Sequence, residues 1–127
     1  MRKMMDNIGV YVSALQESLQ KKLDVLLELL KLTKEQGAIL KEKEPDMDRF
    51  DEIIQEKAKL LDNMETLDRG FDALFAKAGD TLKNNKYEYQ TQITEMQNLI
   101  RSITDTGVQI EGQEHRATHP SFHAYRY

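Results

Sequence analysis

The chain has no cysteine, no tryptophan, only two prolines, and no histidine before His115. Each absence excludes a class of chemistry. Without thiols there are no disulfides, no thiolate zinc sites, no iron–sulfur clusters and no cysteine nucleophile. An enzyme or metal protein built in a bundle core would need inward Glu and Glu-x-x-His ligands, and no such pair occurs. No stretch approaches the roughly 20 consecutive apolar residues of a membrane span. Arg2-Lys3 is not followed by an apolar run before Asp6, so neither a leader nor membrane insertion is expected. The net charge of −4 comes from interleaved acidic and basic residues, so no single-sign field gathers phosphate backbones or anionic lipid. Nucleic acid is not an expected partner. What remains is a chain of 127 residues, 39% hydrophobic and 31% charged, a balance typical of long amphipathic helices with solvated outer faces. No cofactor is implied, and the cytoplasm is the expected compartment.

The apolar residues Ile8, Val12, Leu15, Leu19, Leu23, Leu26, Leu30 and Leu40, with Thr33 and Gly37 filling two places, recur at steps of three and four. That rhythm predicts an α-helix with one apolar stripe, starting near Asp6 or Asn7. The step of four from Leu19 to Leu23 inserts a stutter into the heptad pattern. Surplus Leu27, Leu29 and Leu32 widen the stripe, so this face is expected to meet more than one helix. Pro45 ends the run after Lys41-Glu42-Lys43-Glu44, and Asp46 is placed to cap a second helix. The stripe of that helix runs through Phe50, Ile53, Ile54, Leu60, Leu61, Met64, Leu67, Phe71, Leu74, Phe75 and Ala78. At about 1.5 Å per residue the first two helices match at roughly 50 Å and are expected to lie antiparallel. Gly79-Asp80 and the polar Lys83-Asn84-Asn85-Lys86 place a break before a third helix. The fold class expected is therefore all-α: an elongated antiparallel hairpin or bundle of three long amphipathic helices with coiled-coil-like packing. The helices span about 8–42, 46–78 and 86–112 of one domain, 1–114, with the third packed less tightly than the others.

Residues 115–127 change character: they hold all three histidines, Pro120, and the aromatic residues Phe122, Tyr125 and Tyr127, with no acidic group. His115, His119 and His123 have helical metal-site spacing, but Pro120 breaks the helix it needs, and no metal site is expected. The carboxylates Asp48, Asp51 and Glu52, lying among Arg49 and Lys57, read as a solvated helix face and not as an acid–base pair.

Three segments carry a resemblance: Leu26 to Gln36 with its run Leu29-Leu30-Lys31-Leu32; Phe50 to Met64, with Glu56-Lys57 before Leu60-Leu61; and Ile100 to Glu114, closing on Ile110-Glu111-Gly112-Gln113-Glu114. Together they resemble the FlgN-type flagellar export chaperones. The resemblance implies a cytoplasmic, non-enzymatic helical protein that holds hook-associated subunits of the filament junction and presents them to the cytoplasmic domain of the export gate. It also implies a client-binding surface on the C-terminal helix. Ile93, Met96, Leu99, Ile100, Ile103, Gly107 and Ile110 form a strip there with the spacing that helix-in-groove recognition uses. Aromatic residues near the end of such chaperones contact the gate, which here points to Phe122, Tyr125 and Tyr127. The alternative is a structural coiled coil, a homodimer or adaptor without a secreted client.

Overall fold

The structure, a computed structural model, describes the backbone of residues 2–118 and the side chains of residues 8–114. Three helices follow in order: α1 (Arg2–Leu40), α2 (Met47–Asn84) and α3 (Gln90–Thr118). The described residues contain no strand. α1 is the central element, because α2 and α3 both pack on it while their backbones stay apart from each other. α2 runs antiparallel to α1, and α3 runs in the same direction as α1. The pairs that fix these directions are Arg49 with Glu35 and Asp68 with Lys22 on one side, and Glu95 with Gln16 and Glu114 with Thr33 on the other.

The wide leucine stripe explains the arrangement. Beyond Leu19 the buried face of α1 broadens to Val25, Leu26, Leu29, Leu30 and Leu32, which two helices are needed to cover. α3 consequently packs on α1 as extensively as α2 does, contrary to the looser packing expected of it. Three apolar clusters follow the length of α1. The first joins Ile8, Val12, Leu15 and Leu19 to Ala78, Leu82 and Met96; the second joins Leu26, Leu29 and Leu30 to Met64 and Ile110; the third joins Leu32 and Ile39 to Ile53.

Several boundaries differ from the periodic reading. α1 begins at Arg2, upstream of the suggested caps, and its final stripe passes through Gln36 and Ile39, leaving Leu40 40% exposed. Asp46 does cap α2, accepting the Arg49 amide at 3.1 Å. That helix does not stop at Ala78. Ala78 and Leu82 continue the apolar stripe against Ile8 and Val12, so burial carries the helix through Gly79 and Asp80 as far as Asn84. The turn to α3 lies at residues 85–89, where the Asn85 side chain donates to the Thr81 carbonyl at 2.7 Å.

Candidate functional site

Because α2 and α3 flank α1 without touching along their backbones, a groove runs between them. It contains two adjoining hollows, of about 300 and 470 Å³, which share Lys22, Asp68, Ile103 and Thr104. Leu19 and Leu26 of α1 form the floor. The α2 wall is Met64, Leu67 and Phe71, and the α3 wall is Ile100, Ile103, Gly107 and Val108. Ile100 and Val108 are 47% and 64% exposed, large apolar side chains left uncovered at the rim. Asp72 and Glu111 add negative charge to the edges, while Asp68 is engaged by Lys22 at 2.7 Å. A third hollow, at the α2–α3 turn, is lined by Lys83, Tyr87 and Ile93.

The strip read from the sequence of α3 divides among these surroundings. Ile100, Ile103 and Gly107 line the groove. Ile93 and Leu99 are half-buried against the first cluster, and Met96 lies inside it. Ile110 is fully buried in the second cluster. Steps of three and four cannot separate the side chains that face α1 from those one position round the helix, because both belong to the same broad stripe. Phe122, Tyr125 and Tyr127 lie outside the described residues, as do His119 and His123 and the side chain of His115.

Sequence reading missed a buried polar cluster where all three helices meet. Lys57, whose charged neighbours suggest a solvated face, is fully buried. It stands four residues after Ile53 and seven before Met64, so it occupies a place on the buried stripe of α2. Its Nζ donates to Gln36 Oε1 at 2.8 Å and to Glu114 Oε1. Thr33 Oγ1 bridges the Leu29 carbonyl at 2.7 Å and Glu114 Oε1 at 3.2 Å. The Gln36 Nε2 group, also buried, has no hydrogen-bond partner among the described residues. Burial pushes the Lys57 ammonium below the usual lysine range, against the opposing pull of Glu114. The signal was present in the sequence: Thr33, Gln36, Lys57 and Glu114 each replace an apolar residue at a stripe position.

The exposed carboxylates are of another kind. Arg49 grips Glu35 with two bonds, of 2.6 and 3.1 Å, and reaches Glu52 and Glu56 at 3.3 and 3.2 Å. The hydrogen bond to Arg49 holds the Glu35 carboxyl below its ordinary range, and the Arg49 guanidinium is raised in return. Asp48, Asp51 and Glu52 are exposed on the outer face. Among the described residues no group of three or more histidine or carboxylate side chains could hold a metal ion, and no helix is long and apolar enough to cross a membrane.

A groove with apolar side chains on its floor and both walls, an ion pair at its centre and carboxylates at its edges is suited to binding an amphipathic helix. No curated protein and no solved structure matches the chain. The family model described as FlgN protein matches residues 4–116, which takes in all of the groove, the buried cluster and nearly the whole of the three helices. The chain belongs to the FlgN family and is a FlgN-type flagellar export chaperone.

Proposed function

We propose that this chaperone holds hook-associated subunits of the filament junction in the groove between α2 and α3, and delivers them to the cytoplasmic domain of the export gate from within the cytoplasm. The observation that carries the reading is the groove itself. Apolar side chains stand on its floor and on both walls, interrupted by the Lys22–Asp68 ion pair, and an amphipathic client helix laid along α1 would complete a four-helix bundle. Ile100, Ile103 and Gly107 are the contacts proposed on α3, with Ile93 and Leu99 extending them toward the turn. Handover to the gate is assigned to Phe122, Tyr125 and Tyr127, on the strength of the family resemblance and of the interface preference of aromatic side chains with polar tips.

Affinity capture from flagellated cells, followed by mass spectrometry, tests the client class. Hook-associated subunits should dominate the eluate; their absence would favour a purely structural role. Ile100→Asp/Ile103→Asp tests the site. Each buried isoleucine is worth about 1.5 to 3 kcal/mol, so the double variant should lose at least about a hundredfold in client affinity while keeping its helicity. A folded variant that binds normally would move the site elsewhere. Truncation after Thr118 leaves the described part of α3 whole, and should weaken gate binding without changing client capture.

A further inference from the structure

We infer that Lys57 and Glu114 form a releasable clasp: the last turns of α3 open at this pair, widening the groove and presenting Ile110 to whatever helix enters it. The inference rests on the proposed function for what enters, but the clasp exists or fails without a client.

Among the described residues, Lys57–Glu114 is the one ion pair that joins α2 to α3. The pair lies just past the end of the groove lined by Met64 and Glu111: Lys57 stands seven residues before Met64 on α2, and Glu114 three residues after Glu111 on α3. Both charges are fully withdrawn from water, together with the Gln36 amide, whose nitrogen has no partner among the described residues. Desolvation of a buried ion pair roughly cancels its attraction, so such a pair fixes geometry without holding the closed state firmly. Opening hydrates Lys57, Glu114 and Gln36 Nε2 together.

The helix is also soft where it would have to bend. Gly107 and Gly112 lie on either side of Ile110, and a β-carbon at either position would meet nothing within 4 Å among the described residues. Neither glycine is required by close packing, and each weakens the helix locally. What resists opening is Ile110, which loses its place against Leu26, Leu29 and Met64. A client helix that covers Ile110 removes that cost, and so draws the open state out of the equilibrium.

Hydrogen exchange on the full chain without client tests the clasp. In the wild type, amides of residues 108–114 should exchange ahead of those of residues 20–32. Lys57→Met/Glu114→Leu, which replaces the pair with apolar groups, should slow exchange at 108–114 about tenfold and leave 92–99 unchanged. Glu114→Gln, which keeps the shape and strands the lysine, should speed exchange at 108–114 and still decides the matter if the double variant does not fold. Unchanged exchange in whichever variant folds, or equal changes along all of α3, would overturn the clasp. Hook-associated subunits should bind the double variant at least tenfold more weakly than the wild type; equal affinity would overturn the coupling of the clasp to capture. If the wild type captures no such subunit, the proposed function falls, and the exchange comparison alone judges the clasp.

Discussion

The ring of Phe75 occupies the space that a β-carbon on Gly79 would need: the ideal position lies 2.9 Å from Phe75 Cε1 and 3.1 Å from Cδ1 and Cζ. Phe75 is held over the glycine by stacking on Phe71, with ring centroids 6.0 Å apart. This glycine therefore makes room for a neighbour within the helix and does not end it.

Two glycine substitutions in α2 should consequently behave differently. Gly70 is exposed, and a β-carbon there would meet nothing within 4 Å, so Gly70→Ala should stabilise by about 1 kcal/mol, a rise in Tm of about 4 °C. Gly79→Ala gains the same propensity but must displace the Phe75 ring and its stacking, so no net gain is expected. Thermal unfolding of the two variants side by side checks this. Equal stabilisation would show that the ring moves away freely.

The Glu35–Arg49 contact contributes to the acid limb of stability. The folded-state pKa of Glu35 is depressed, so its contribution is present above about pH 4.5 and is lost as pH falls through the folded value. Glu35→Gln should flatten the decline of Tm below pH 4.5 relative to the wild type, while the two proteins differ by a constant amount from pH 6 to 8. The pair is partly exposed and salt will screen it, so the difference should shrink in concentrated sodium chloride.

Lys57 acts in the opposite range. Its folded-state pKa lies below the unfolded value of 10.5, so between the two values the unfolded chain binds more protons, and stability rises with pH. Urea unfolding of the wild type and of Lys57→Met/Glu114→Leu should therefore show the wild type gaining on the variant as pH is raised toward 10.5. Parallel pH profiles would mean that the lysine is hydrated in the folded protein.

The elements legible in the sequence were those written in a single period. The stripe of α1 with its surplus Leu29 and Leu32 implied a helix that meets two others, although the third surplus leucine, Leu27, is exposed, and Asp46 after Pro45 marked the start of α2. The end of α2 was illegible because local punctuation and burial disagreed there. Gly79-Asp80 reads as a stop, yet Ala78 and Leu82 bury against α1 and prevail. Lys57 shows the same limit for a site. Its charge suggested solvent, and only its step of four from Ile53 suggested the interior, where a buried Glu114 from another helix makes that placement tolerable. That partner lies 57 residues away in the chain, beyond the reach of any periodic argument. The α3 strip was recognisable as apolar, but its division between groove and core depends on where α2 stands.

That division gives the last prediction. Ile110 is fully buried among Leu26, Leu29, Leu30 and Met64, whereas Ile100 is 47% exposed at the rim of the groove. Removing a buried isoleucine costs its transfer free energy plus that of the cavity left behind, so Ile110→Ala should destabilise the free protein by about 2 to 5 kcal/mol. Ile100→Ala leaves no cavity and should cost about 0.5 kcal/mol or less. In client binding Ile100→Ala should show a loss out of proportion to its small effect on stability, since Ile100 already faces the groove and its loss is felt only when the groove is filled. Urea unfolding of the two variants, set beside their affinities for the proposed hook-associated client, checks both halves. Equal destabilisation would mean that the α3 strip is core throughout, and that the groove is filled by the protein's own side chains.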